Sequence, residues 1–367
     1  MSWKIDKNRT GPSIARHYRS RAGLTCAVAV CKTCETLDHF EIVVCIIDRG
    51  RTFMNSLVLN ELLKIALRAR TWVMISITVI VVGWSVLLVP GHSQERSDWR
   101  KQLVSQDVRF EQTLANRHNF LSHNAQAAIG ASLAVNKYEL THDLPPTGEM
   151  DAWAFVDEGL PLSGIVVVFA TVIAGDVVAG EFAAGTIKTL LSQSATRSQI
   201  LASKYIAVLL TTLVMIASVL VSSLLLGGIF FGFSGADYPY IFMNNRETIG
   251  LMTEVNYALI AYYYQFLSAV MTVTIAFMIS TVFRSGVLSI AISIITWFIG
   301  STLAQFLSSY SWDKYIIFSN TDLLQYITGS PIIDGTTMGF AIFMLVAYFI
   351  VLNVISWTVF VHRDVLA

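Results

Sequence analysis

The chain has 367 residues, of which 54% are hydrophobic and only 14% charged, with 25 Lys and Arg against 25 Asp and Glu. An ordinary soluble domain carries roughly 25% charged residues, so this much apolar surface does not fit inside one water-soluble core. A net charge of zero gives no basis for nucleic-acid binding.

Residues 1–53 hold nine Lys or Arg and all four cysteines of the chain, Cys26, Cys31, Cys34 and Cys45. Their apolar stretches are too short to span a bilayer, and no continuous apolar run followed by a small-residue cleavage site marks a secretory signal. Cys31-Lys32-Thr33-Cys34 has the CxxC spacing of a zinc or redox site, but a structural zinc site usually needs a second pair, and none is present. The expectation is therefore no metal and a disordered extension or an upstream start, with Met54 as the true first residue.

From residue 54 the character changes. Leu57, Leu59, Leu62, Leu63, Ile65, Ala66 and Leu67 alternate with Glu61, Lys64, Arg68 and Arg70 at helical spacing, which predicts an amphipathic helix at the membrane surface. Runs without Asp, Glu, Lys or Arg follow at 71–90, 159–175, 205–236, 255–283, 285–312 and 335–361. A spanning helix needs roughly 20 apolar residues. Five runs reach that length, and the second continues past Asp176 to residue 180. In lipid every backbone N–H and C=O has to be satisfied within the segment, so these runs should be helices. The expected architecture is an all-α polytopic membrane protein with six spans at about 71–90, 159–180, 205–232, 256–283, 286–308 and 337–361. Lys64, Arg68, Arg70, Lys188, Arg197, Lys204, Arg284 and Arg363 fall on one side, and the short loops opposite supply only Arg246 and Lys314. The positive-inside rule puts the first side, and both termini, in the cytoplasm.

The long connection 91–158 is then external, with six basic and ten acidic residues. Trp99, Leu103, Phe110 and Leu114 recur at helical spacing, so part of it should be helical, and residues 143–148 read as a turn or linker. His92, His118, His123 and His142 lie here without an HExxH arrangement and read as solvated surface histidines.

Between the second and third spans lies GEFAAGTIKTLLSQSATRSQILASK, residues 180–204. Gly185 allows a sharp turn. Ile187, Leu190 and Leu191 face away from Lys188 on a short helical piece that Ser192-Gln193-Ser194 ends. Thr196 and Gln199 form a capping box that starts the next helix. This is a short helix lying across the cytoplasmic face, flanked by two spans, or else an ordinary loop. The segment resembles the signature region of bacterial type-2 ABC transporter permeases, approximately GE-x-x-x-GT-x-K-x-LL-x-x-P-x-x-R with a basic residue opening the next span. Gly180, Glu181, Gly185, Thr186, Lys188, Leu190, Leu191, Arg197 and Lys204 match; Ser194 stands where the family usually has proline. Residues 60–64, Asn-Glu-Leu-Leu-Lys, match the family's opening helix, and the resemblance covers roughly residues 54–367.

The resemblance implies a permease in the bacterial cell membrane, working as a homo- or heterodimer with a separate ABC ATP-binding subunit that docks on this coupling helix. Glu181, Gly185, Thr186, Lys188, Leu190, Leu191 and Arg197 are the contact residues it points to. The chain has no G-x-x-x-x-G-K-[ST] phosphate loop, so it carries no cofactor of its own on this reading, and ATP-Mg belongs to the partner.

The spans hold few ionisable groups, which are costly there and default to functional candidates. Asp176 lies a turn before Glu181, placed to snorkel or to pair with a basic residue. Asn256, Tyr264, Gln265 and Asn353 are candidates for a substrate path, although the tyrosine run 262–264 equally fits an interfacial aromatic belt. The scarcity of buried charge favours an amphipathic cargo such as an antimicrobial peptide or drug-like compound, moved outward. An intramembrane enzyme would need catalytic groups at membrane depth, and none is visible. A membrane sensor or scaffold, with the external loop binding ligand and a partner carrying the signal, is the alternative.

Overall fold

The computed structural model describes residues 54–88, 99–117, 123–144, 151–186, 195–233, 236–244, 248–307, 310, 312–327 and 336–362. The chain divides into two units, Met1–Arg51 and Thr52–Ala367, and everything below belongs to the second. The cysteines, and the metal and extension readings placed on them, lie outside the described residues.

The described chain is mostly helical. Helix α1 covers residues 54–66 and turns at Leu67 and Arg68 into α2, Ala69–Leu88. The turn is closed from within: the Thr71 hydroxyl donates to the Ile65 carbonyl at 2.7 Å, and the Trp72 indole to the Ala66 carbonyl at 2.8 Å. These take up carbonyls that the end of α1 leaves free. Next come α3 (Trp99–Arg117), α4 (His123–His142), α5 (Ala152–Glu158), α6 (Ser163–Asp176), α7 (Ala179–Ala183) and α8 (Arg197–Phe231). A two-stranded antiparallel hairpin, β1 (Pro239–Asn244) and β2 (Thr248–Thr253), leads into α9 (Glu254–Val282). α10 (Gly286–Leu307), three short 3-10 turns between Asp313 and Tyr326, and α11 (Met338–His362) complete it.

Five of these helices (α2, α8, α9, α10 and α11) are long and apolar enough to cross a membrane, and α5 with α6 makes a sixth span if that pair, bent by 53°, is counted as one. The protein is a multi-pass helical membrane protein. The apolar run at 159–175 therefore contains a break that its composition does not announce. Pro161, in the turn at 159–162, lacks the N–H a continuous helix would use. The β-hairpin lies in a loop expected only as a connection.

Helix α6 is the centre of the bundle, contacting α2, α8, α9 and α10. Val166, Val167, Ala170, Ile173 and Ala174 are all buried. Gly175 lets α10 come close: a Cβ there would stand 3.2 Å from the Ile290 Cα. Small residues of this kind are how helices pack in lipid, where no hydrophobic force drives them together. The outer helices turn large apolar side chains outward, among them Trp72, Ile80, Trp84, Val287, Phe298 and Phe343.

The bundle has two distinct ends. At one, α1, the end of α6, α7 and the start of α8 meet around charged residues; it is called the ion-pair end below. At the other, α5 docks under the end of α8, with the Ala152 N–H donating to the Gly232 carbonyl at 2.9 Å. Here α3 and α4 pack together, α4 touches β1, and the rings of Tyr240 and Tyr257 stack with centroids 3.6 Å apart. Leu103 is buried in α3, which is helical as the spacing of Trp99, Leu103, Phe110 and Leu114 predicts.

Candidate functional site

The ion-pair end holds the densest set of charges in the described chain. Helix α1 turns Glu61 and Ile65 into the bundle and leaves Leu59, Leu63 and Leu67 outside. Glu61 meets Lys204, which lies two turns into α8 and whose side chain is fully buried. The Lys204 ammonium donates to Glu61 Oε2 at 2.8 Å and sits 2.7 Å from Glu181 Oε1. Lys64 completes the group at 2.6 Å from Glu61 and 3.5 Å from Glu181. Two lysines and two carboxylates thus neutralise one another, which is the condition under which charges are tolerated away from water. Burial alone would raise the Glu61 pKa, but Lys204 and then Lys64 outweigh it and hold it below the ordinary glutamate value. Lys64 is likewise held above the usual lysine value: burial opposes this, and Glu61 and Glu181 prevail.

A second pair of contacts adjoins the first. Arg68, in the turn between α1 and α2, and Arg70, at the start of α2, both reach Asp176 Oδ2, at 3.0 and 2.6 Å. Asp176 ends α6, and its other oxygen lies over two glycines. A Cβ at Gly286 would stand 2.7 Å from Asp176 Oδ1, and one at Gly180 would collide with the same atom. Glycine at these two positions is what leaves room for the carboxylate. Between α6 and α7 the helix is interrupted at Val177 and Val178, and the Ser280 hydroxyl of α9 accepts from the N–H groups of Val178 and Ala179 at 3.2 and 3.0 Å. The chain is therefore fixed where it leaves α6, immediately before Glu181.

The enclosed space among Glu61, Lys64, Arg68, Arg70 and Glu181 is about 10 Å³. That is at the lower limit for a single water molecule. The arrangement is a closed mechanical tie joining α1, α6, α7 and α8, with no room for a substrate.

The residues expected at a partner contact are distributed as follows. Glu181 points inward to Lys204 and Lys64 instead of outward. Gly185 adopts φ +71, the left-handed conformation that its expected turn requires. The Thr186 hydroxyl faces the Glu181 carbonyl at 3.4 Å. Lys188, Leu190 and Leu191 lie outside the described residues. Thr196 and Gln199 form the capping box, and Arg197 donates to the Val361 carbonyl at 2.9 Å, tying the start of α8 to the end of α11.

The four path residues do not converge. Asn256 is exposed in the first turn of α9. Tyr264 packs with Met271, Leu323, Ala341 and Leu345, and Gln265 is half-buried beside it. Asn353 donates to the Phe349 carbonyl within its own helix at 2.9 Å, and its neighbour Leu352 packs on Ile275 and Ile279. Along α9, Tyr264 and the Ile275 level are separated by about 16 Å. Sequence reasoning did not place Glu61, Lys204 or Gly286 in a site. The available signal was a lone acidic residue on a basic amphipathic helix, which Lys64 three residues on already accounts for locally, and the lysine that opens the third span.

The family described as "Protein of unknown function (DUF2705)" matches residues 113–366. The chain belongs to this family. It is 34% identical over 318 residues to "Uncharacterized protein YhcI" of Bacillus subtilis (strain 168), a match covering 85% of this chain and 99% of that protein. It is also 31% identical over 102 residues to "Uncharacterized membrane protein YdbK" of the same organism, covering 27% of this chain and 42% of YdbK. No solved structure matches the chain.

Proposed function

We propose that this protein is the membrane-spanning permease subunit of an ABC exporter, moving an amphipathic substrate outward with ATP hydrolysed by a separate subunit. The observation that carries this reading is the buried tie through Lys204. It joins the surface helix α1, the segment after α6 and the start of α8, so a force applied near residues 181–199 reaches three helices of the bundle together. The motif resemblance at 180–204 supplies the kind of partner that would apply it, an ABC ATP-binding subunit holding ATP-Mg. On this reading the ion-pair end faces the cytoplasm of a bacterial cell, as do both termini. A second permease copy completes the assembly, and this chain itself is no enzyme. Because Glu181 is turned inward, the contact surface is carried by Gly185, Thr186, Lys188, Leu190, Leu191 and Arg197. The burial of Glu139 between α3 and α4 at the opposite end favours, as a second reading, a sensor whose external part responds to its surroundings.

The test is co-expression with ATP-binding subunits encoded beside the gene, followed by purification through this chain. The expected result is stable capture of an ATPase by the wild type and its loss in Leu190→Asp, with membrane insertion unchanged. A well-folded protein that captures no nucleotide-binding subunit would remove the exporter reading and leave the sensor.

A further inference from the structure

Independently of that reading, the opposite half of the bundle carries a cavity of about 710 Å³. Its size falls within the range of roughly 300–1,000 Å³ typical of small-molecule sites. One wall is a single face of α10, where Ile295, Ile299 and Leu303 recur every fourth residue. Facing it are Phe318 and Tyr348, and Trp312 and Tyr315 stand at the mouth. The wall is built, not incidental. Gly300 offers bare backbone on which the Phe318 ring rests, since a Cβ there would collide with that ring. Tyr348 donates its hydroxyl to the Tyr315 carbonyl at 2.7 Å, fixing α11 to the turn segment.

The position of the groove selects what fills it. Ile295, Ile299 and Leu303 are about half exposed on a helix that faces lipid. Tyr310 and Trp312 pair at 6.0 Å by the mouth, and aromatic residues of this kind settle at the membrane–water boundary. From Leu303 back to Ile295 the groove descends about 12 Å. A hydrocarbon core of about 30 Å makes that close to the depth of one leaflet. At the boundary level the Lys314 ammonium lies 5.3 Å from the centre of the Tyr315 ring. The neighbouring Asp313 is buried, accepting from the Ser319 hydroxyl at 2.8 Å, so of the two charges next to the lining residues Trp312 and Tyr315 the half-buried Lys314 is the one that reaches the surface.

We propose that this groove binds one acyl chain of an anionic phospholipid from the leaflet on the β-hairpin side, with Lys314 receiving the headgroup phosphate. The apolar wall takes the chain; the lysine, backed by an aromatic ring, selects the headgroup's charge.

The full chain, purified in detergent, is incubated with phosphatidylglycerol or phosphatidylcholine of identical acyl chains, and bound lipid is counted by native mass spectrometry. The wild type retains phosphatidylglycerol in preference by roughly tenfold, the scale of one charge-assisted contact. Lys314→Gln brings phosphatidylglycerol down to the phosphatidylcholine level. Ile299→Trp, which places an indole in the groove from a half-exposed position, removes both adducts; Ile295→Trp does the same should the first variant fold poorly. Equal retention of the two lipids by the wild type would overturn the proposal, as would unchanged adducts in well-folded tryptophan variants. So would an efficient disulfide between two copies carrying Ile299→Cys, which would assign the groove to a second copy.

Discussion

Removing the Lys204 ammonium is the sharpest test of the ion-pair tie. In Lys204→Met the side chain keeps its length and loses its charge, and two carboxylates lose a partner held at 2.8 and 2.7 Å. At an effective dielectric constant of about 20 each such contact is worth roughly 6 kcal/mol before desolvation. Most of that is offset by the cost of taking the ions out of water, and stranding a buried charge typically destabilises by about 3–5 kcal/mol. Lys64 remains 2.6 Å from Glu61 and 3.5 Å from Glu181, so the lower end applies, about 3 kcal/mol. The triple variant Glu61→Gln, Lys204→Met, Glu181→Gln removes the charges as well as the partner and should recover most of the loss. Equilibrium unfolding in mixed detergent micelles reads both quantities, and protease cleavage near Lys64 reports whether α1 stays docked. If Lys204→Met lies within about 0.5 kcal/mol of wild type, or the triple variant is no more stable than the single one, the tie does not hold these helices together.

Three further outcomes follow from neighbouring contacts. Ser280→Ala leaves the Val178 and Ala179 N–H groups without their shared acceptor and should destabilise by about 1–3 kcal/mol, with faster hydrogen exchange confined to the start of α7. Gly180→Ala puts a methyl group on Asp176 Oδ1 and should separate that carboxylate from Arg68 and Arg70; the expected sign is a loss of stability that Arg70→Gln no longer adds to in a double-mutant cycle. Glu139, buried in α4, has its pKa pushed by burial, and secondarily by Asp107, up to about 7. A folded-state value above the unfolded one means stability is full below about pH 4.5, falls as the pH rises toward 7 and is flat above it, by at most about 3 kcal/mol. The Asn136 amide donates to Asp107 at 2.7 Å, and Tyr238 lies close enough to feel the Glu139 charge, so these are the groups that face it. Hydrogen-exchange protection of α4 between pH 5 and 8 should show that fall, and Glu139→Gln should abolish it.

Five of the spanning helices were legible because they rest on a local rule: backbone groups in lipid have to be satisfied within the segment, and five of the six charge-free runs coincide with long helices. The capping box at Thr196 and Gln199, the turn at Gly185 and the helical spacing from Trp99 to Leu114 are equally local. The bend between α5 and α6 was hidden because Pro161 falls at the start of the charge-free run, behind Asp157 and Glu158, which read as the end of the external loop. The β-hairpin was hidden because six-residue strands next to a long helix leave little periodicity. Glu181 shows the limit most clearly. Its place in the motif is local, but its partner Lys204 lies a helix away, and Glu61 is 143 residues from the same lysine. The 180–204 segment contains both Glu181 and Lys204, but that they turn toward each other and toward Glu61 is set by how the bundle packs. The same reason left Asn256 and Asn353 apart from the adjacent Tyr264 and Gln265.

The most direct measurement of the central proposal is site-specific photocross-linking in living cells, with the photoreactive residue at Thr186 in one strain and at Asn256 in another. The account predicts an adduct between position 186 and a cytosolic ATP-binding subunit and none from position 256. It would be contradicted by a position 186 that reacts with a membrane-impermeant reagent from outside the cell, or that captures no nucleotide-binding protein.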